Sequence, residues 1–339
     1  MGKNMSEQLI NLSAKDTGFY QDRENELSYV YELQKFYADL KSERGQDSRI
    51  IKASKEREEF LYVIDRKKLS SPMAVVVEMH DDDRAIAGGI VRKLVKAGIG
   101  VINITVTKGD GRPRGEIPPQ EVAKRRREEG VKAAKIMGLV AYIHLGFEDL
   151  HVGREQEVIT ATLTQYFRMF DPDAVLTTHK KDINPDHKRA KRVVEDALYA
   201  GRNAVDLVLN IPYSTKNPPA ALYFMETQTL FNSHEKPVKM DMFVPILPDE
   251  RKTVKEALLA IETQYPNPEA IIVFEKRAHE LGKLIGRPDV EALSHHRSGM
   301  FTSEKNIIGN WLGGNNFHER PNIPHYKKKV KKIKPVREQ

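Results

Sequence analysis

From Met73 onward the chain alternates apolar runs with amphipathic segments. "MAVVVEM" is a continuous, mostly β-branched run, the mark of a strand buried on both faces. "AIAGGIVRKLVKAG" reads as a helix that closes on glycine. "GVINITVT" predicts a second strand. "PPQEVAKRRREEGVKAAKIMG" predicts a helix opened by proline and closed by Gly138. "AYIHLGF" is a third strand, "EQEVITATLTQYFRMF" a helix, "DAVLTTH" a fourth strand and "PDHKRAKRVVEDALYAGRNAV" the next helix. "AALYFMET" and "DMFVPI" read as later strands, and "PDERKTVKEALLAIETQY" and "PEAIIVFEKRAHELGKLIG" as later helices. This alternation predicts an α/β fold, a Rossmann-like three-layer α/β/α sandwich around a mostly parallel sheet.

Before Met73 the pattern differs. "ENELSYVYELQKFYADLKSE" spaces Leu27, Val30, Tyr31, Leu33, Phe36, Tyr37 and Leu40 helically, with charges between. It predicts an amphipathic helix packed on the main body or on a partner chain, which leaves a homo-oligomer open. The expected division is an N-terminal helical extension over 1–72, the α/β domain over 73–298 and a C-terminal extension with a basic tail over 299–339.

Composition narrows the chemistry. The chain has 339 residues, 40% hydrophobic and 30% charged, enough to bury a sizeable core. It has no cysteine, which excludes disulfides, thiolate catalysis and Cys-based metal sites. No apolar run reaches the roughly 20 residues a membrane span takes, and the N-terminus has no apolar signal core. A cytoplasmic location is the expectation. The formal charge of +7 is concentrated in the tail "HYKKKVKKIKPVREQ". That run is either a solvated tail or a contact for an anionic partner. Only Tyr326 stands near it to stack a base, and no nucleic-acid motif is visible. The first strand lacks a following G-x-G-x-x-G, so the dinucleotide fingerprint is missing. "KGDGRPRGE" has no P-loop spacing and reads as a loop.

Ligands of open parallel sheets bind at the carboxyl ends of the strands. Two polar clusters fall there. His80-Asp81-Asp82-Asp83 follows the first strand, and "THKKDINPDH", with His179, Asp182, Asn184, Asp186 and His187, follows the fourth. These strands are neighbours in the common doubly wound order, so the clusters are expected to meet in one crevice. Two imidazoles and a carboxylate form a frequent catalytic zinc set with one position open. A cation would also offset the repulsion among three consecutive aspartates. Taken singly, each cluster has a plainer explanation as a solvated turn or a structural histidine.

The ordered set resembles the LmbE-like, or PIG-L, family of metal-dependent N-deacetylases. The family's His-Pro-Asp-Asp appears as His80-Asp81-Asp82-Asp83, with Gly88-Gly89 beyond. Its Asp-x-His-Pro-Asp-His appears as Asp182-Ile183-Asn184-Pro185-Asp186-His187. Between them "TKGDG", Arg126, Glu129, Ala133, Ala134 and Gly138 follow the family order, and later Lys255, "ETQY" and "RAHELGKLIGRPDVEAL" do so. The likeness runs from about Met73 to Leu293. It implies an LmbE-like fold and removal of an acetyl group from an N-acetylated amino sugar or its conjugate, of GlcNAc type. It also implies metal ligands His80, Asp83 and His187, holding zinc, with Fe2+ as another metal such ligands accept. Asp82 would be the base that activates metal-bound water. Asn184 and Asp186 would complete the catalytic set, and Asp110, Arg126, His179 and Asp182 would face substrate.

Three positions depart from the family. Asp81 replaces its proline. Arg84 follows the motif and either pairs with Asp81 or is solvated. Asn184 stands where the family carries histidine, so it can donate a hydrogen bond but not a proton. Two other readings stay open: hydrolysis of another amide, such as a thiol conjugate or an acylated natural product, and a weakened member that acts by binding.

Overall fold

The computed structural model describes residues 50–52, 59–70, 72–111, 117–202, 220–227, 230, 238–296, 306–313, 317–319 and 329. The helix expected over 24–43, the basic tail apart from Lys329, residues 112–116 of the glycine-rich loop and residues 213–219 of "YSTKNPPAA" lie outside these.

Five parallel strands form the centre. β3 (Met73–Glu78), β4 (Gly100–Thr107), β5 (Ala141–Phe147), β6 (Ala174–Thr177) and β7 (Ala221–Met225) stand in the order β5-β4-β3-β6-β7. Every residue of the five is buried, as the near-continuous apolar runs require. Alternate residues of β3 serve opposite layers. Met73, Val75 and Val77 pack with α3 (Gln156–Phe170) and α4 (Pro185–Arg202). Ala74 and Val76 pack with α1 (Arg84–Lys96), α2 (Pro119–Met137) and α5 (Pro248–Leu259). The three-layer sandwich follows from this period of two.

Antiparallel strands extend both edges. β1 (Ile50–Lys52) and β2 (Phe60–Val63) continue the sheet beyond β5, while β9 (Val290–His295), β8 (Met242–Pro245) and β10 (His318–Glu319) continue it beyond β7. The segments before Met73 and after residue 298 thus contribute strands to the same sheet. β9 lies in "DVEALSHH", which carries no long apolar run, and was not expected as a strand. Behind it, α6 (Ile272–Ile285) places Leu281 and Leu284 against Phe243, Val290 and Ala292.

The first helix is broken where it leaves the motif. Ala87 has φ −137° and ψ 22°, outside helical values. Glu291 of β9 accepts from the amides of Gly89 (2.9 Å) and Ile90 (2.8 Å). Arg277 of α6 donates to the carbonyl of Ala85. Two side chains thus stand in for hydrogen bonds of the helix, since buried backbone groups need partners. Gly89 allows the approach of Glu291: a Cβ there would stand 2.8 Å from its Oε1.

Candidate active site

β3 and β6 are adjacent and parallel, so the loops after them share one crevice. His80 is extended (φ −129°, ψ 155°), and the next three residues form a 3-10 turn that runs into α1. The turn is closed by Asp83, whose Oδ2 accepts from the amides of Met79 (2.8 Å) and His80 (3.1 Å). Its other oxygen, Oδ1, lies 3.0 Å from His187 Nε2. Both residues are fully buried, and among the described residues neither atom has a hydrogen bond of acceptable angle. Burial alone would depress the His187 imidazolium, but the Asp83 and Asp182 carboxylates outweigh it and raise its pKa to about 10. Burial opposes ionisation of Asp83 too, and the His187 charge overcomes it, so that carboxyl stays below its ordinary value.

The His80 ring centroid is 5.3 Å from that of His187. The Thr107 hydroxyl donates to Met79 O (2.7 Å) and lies 2.8 Å from His80 Nδ1. In neutral His80, Nδ1 therefore carries the hydrogen and Nε2 the lone pair. Nε2 faces Asn184 Nδ2 at 3.3 Å and Asp186 Oδ2 at 3.7 Å. Burial disfavours its charged form, but the Asp149 hydrogen bond and the Asp83 charge raise its pKa overall.

Asn184 has a local role as well. Its Oδ1 accepts from the amide of Asp186 at 2.9 Å, capping α4 ahead of Pro185. With Oδ1 so committed, the amide NH2 is turned toward His80. Asp186 is buried. Its Oδ2 accepts from the amide of Leu150 at 2.7 Å, and its Oδ1 has no hydrogen bond among the described residues.

Asp82 is half-buried, and its Oδ2 accepts from Gln264 Nε2 at 3.1 Å. Burial and then the Asp83 charge push its carboxyl above the ordinary range, while His80, Arg126 and His187 pull the other way. A carboxyl shifted upward beside two imidazoles is suited to accept and return a proton.

The residue in the family's proline position is buried and networked. Asp81 Oδ1 accepts from Tyr142 Oη (2.6 Å), Thr105 Oγ1 (3.1 Å) and Arg84 Nη2 (3.5 Å). Arg84 is itself buried, donates from Nε to Asp81 O at 2.7 Å and reaches Glu78 Oε2 at 3.4 Å. Of the two alternatives for Arg84, the structure has the pair and not the solvated side chain. Burial raises the Glu78 pKa to about 8 against the pull of Arg84.

The four residues expected to face substrate are mostly engaged elsewhere. Asp110 Oδ1 accepts from the amide of Asp149 at 3.1 Å, and its Oδ2 lies 3.3 Å from Lys108. Arg126 is buried and donates to Gln264 Oε1. Asp182, also buried, accepts from the amide of Asn184 at 3.0 Å and lies 3.5 Å from His187 Nδ1. His179 Nδ1 accepts from Lys181 N at 3.1 Å, the ring packs edge-on against Phe224, and burial lowers its pKa to about 4. His151 pairs with Glu148 at the surface (2.7 Å).

Three site residues had not been anticipated. Asp149 accepts from the amides of Gly109 (3.0 Å) and Gly111 (2.9 Å) and lies 3.6 Å from His80 Nδ1. It follows the third parallel strand, so the strand-end rule that found the other clusters points to it too. Thr107, at the end of the second parallel strand, orients His80. Gln264 lies within "ETQY" but showed no chemistry in sequence.

Among the described residues no three acidic, histidine or cysteine side chains form a ready-made ligand cluster. The donor chemistry nevertheless fits a divalent cation. A buried carboxylate oxygen and a buried imidazole nitrogen stand 3.0 Å apart, and among the described residues neither has a hydrogen bond of acceptable angle. A second imidazole directs a lone pair into the same crevice.

Comparison with known proteins bears on this geometry. Residues 75–198 match the model of the PIG-L family, described as GlcNAc-PI de-N-acetylase. The segment contains His80, Asp82, Asp83, Asn184 and His187, while Gln264 lies beyond it. Diacetylchitobiose deacetylase of Thermococcus kodakarensis is 33% identical over 148 residues, 41% of this chain and 55% of that protein. The match thus spans about half of that relative's length. N,N'-diacetylchitobiose deacetylase from Pyrococcus horikoshii superposes with a TM-score of 0.57 at 22% identity, over 67% of this chain and 84% of that one. GalB of Pseudomonas putida, a 4-carboxy-2-hydroxymuconate hydratase, gives 0.55 at 20% identity, over 66% and 95%. These two likenesses establish the fold of the matched segment and its surroundings. A fold shared by a deacetylase and a hydratase leaves the reaction to the site residues.

Proposed function

We propose that the protein is a metal-dependent N-deacetylase acting on an N-acetylated amino sugar or sugar conjugate of GlcNAc type. The observation that carries this reading is the buried Asp83–His187 contact, with no hydrogen bond of acceptable angle at either atom among the described residues, and His80 and Asp82 beside it. The 33% identical relative named as a diacetylchitobiose deacetylase supports the amide and the sugar. His80, Asp83 and His187 would hold a divalent cation, zinc or Fe2+, which when bound polarises the amide carbonyl and acidifies water.

The chain's own groups do the remaining work. Asp82 takes a proton from the attacking water and returns it to the leaving amine, since hydrolysis adds one hydrogen of water to nitrogen and the remaining hydroxyl to the acyl carbon as the C–N bond breaks. The Asn184 amide, fixed by its capping bond, donates to the oxyanion that develops on the acyl oxygen. It supplies no proton, so Asp82 carries both transfers. Thr107 and Asp149 hold the His80 ring at Nδ1 and leave Nε2 for the cation.

Single-residue variants of the zinc-loaded protein test these roles. Asp82→Ala keeps the metal and loses acetate release, whereas Asp83→Ala and His187→Ala lose both. Full activity in Asp82→Ala would refute the assignment. A metal-loaded protein inert on every N-acetyl sugar and other amide supplied would favour a binding role, consistent with asparagine at position 184.

A further inference from the structure

The carboxyl assigned as the base does not stand alone. Behind it runs a chain of part-buried contacts from α2 through the turn after α5. Glu129 accepts from both the amide (3.1 Å) and the hydroxyl (2.5 Å) of Thr263. This fixes the backbone of the turn, which is closed by Gln264 N and Tyr265 N donating to Ile261 O (2.9 and 2.8 Å). The next residue, Gln264, accepts from Arg126 Nη2 on Oε1 and donates from Nε2 to Asp82 Oδ2 at 3.1 Å. The guanidinium has no acceptor, so it dictates which end of the amide faces it and leaves the NH2 for Asp82. Arg126 is in turn held against the loop after β4: Gly109 has φ 73°, and a Cβ there would stand 3.2 Å from Nη1.

We propose that Gln264 is a positioning residue: the Arg126–Gln264 pair holds Oδ2 of Asp82 and so leaves Oδ1 for the attacking water. The proposal rests on the reading of Asp82 as base. A direct Arg126–Asp82 ion pair would fix the carboxylate equally well but weaken it as a base, since an adjacent cation favours the ionised form. The intervening amide keeps the orientation and moves the positive charge one side chain away. A base misplaced by about 1 Å costs on the order of 100-fold in rate. Loss of Gln264 is therefore expected to appear in kcat rather than in substrate affinity.

The test uses the full-length zinc-loaded protein with Gln264→Met, which keeps length without a donor, and Gln264→Glu, which keeps the Arg126 contact but presents an acceptor to Asp82. Three quantities are read: zinc content, kcat and KM for acetate release, and the Asp82 side-chain position in crystals of each variant. The expected result is unchanged zinc, KM within about twofold, kcat lowered roughly 10- to 100-fold in both variants, and Asp82 displaced or in more than one rotamer. Wild-type kcat in both variants overturns the proposal. If the wild-type protein releases no acetate, the deacetylase reading fails by itself. The crystals then decide the relay: a single, unmoved Asp82 rotamer in both variants overturns it, and a displaced one supports it.

Discussion

Replacing Asp81 by alanine should cost about 3 kcal/mol of stability. The carboxylate is 1% exposed and takes hydrogen bonds from Tyr142, Thr105 and Arg84. Breaking a buried charge pair costs roughly 3–5 kcal/mol, because the partner left behind stays buried and uncompensated. Two features place this case at the lower end. Arg84 keeps Glu78 at 3.4 Å and the carbonyl of residue 81 at 2.7 Å. Asp81 Oδ2 also has no hydrogen bond among the described residues, so removing the carboxylate relieves a desolvation penalty. Asp81→Asn keeps an acceptor for the two hydroxyls and loses only charge, so it should cost about 1–2 kcal/mol. Asp81→Pro should be milder than Asp81→Ala by roughly 0.4–1 kcal/mol. His80 already has the extended backbone that a residue before proline prefers, and proline restricts the unfolded chain. Urea denaturation of metal-free protein, monitored by circular dichroism, gives the order. An Asp81→Ala variant within 0.5 kcal/mol of wild type would show that the network contributes nothing net.

Other consequences are as direct. The metal-free protein should lose stability as pH rises from about 6.5 toward 10. A histidine with a raised folded pKa stabilises fully below its unfolded value, and that contribution disappears as pH passes the folded one; a urea midpoint flat across this window in wild type, or the same slope in His187→Gln, would contradict it. Zinc binding near pH 7 should release about one proton from His187, measurable by calorimetry in buffers of different ionisation enthalpy. Asn184→Ala removes the α4 cap and should cost about 1 kcal/mol, with a further loss of kcat beyond any change in zinc affinity. Gly130→Ala should cost about 1–3 kcal/mol by overpacking, because its Cβ would stand 2.3 Å from Tyr142 Oη.

The sheet centre was legible because its strands carry long β-branched runs with helices of period 3.6 between them. The same alternation places the His80 and Asn184 loops side by side, and the β3–β6 pairing has them there. Of the antiparallel strands at the two sides, β8 was legible as "DMFVPI", but β1, β2 and β9 were not: β1 and β2 have three and four residues, and β9 mixes Glu291 and Ser294 into its run. Their partners, not their own patterns, make them strands. Asn184-Pro185 is a readable helix start, which would have given its capping role. The partners of Asp81 come from β4, β5 and the start of α1, and those of α1's broken turn lie about two hundred residues away. Such contacts depend on three-dimensional packing and leave no local spacing in the chain. Gln264 is the same case, since "ETQY" gains meaning only against Arg126 and Glu129.

The central claim is that acetate release requires a cation held by His80, Asp83 and His187. The most direct measurement is titration of chelated, metal-free protein with zinc, with acetate release from a GlcNAc-type sugar conjugate followed at each step. Activity should rise in proportion to zinc and level off at one equivalent per chain. Acetate release at full rate in the metal-free protein, or none at one equivalent on any N-acetyl sugar supplied, would contradict it.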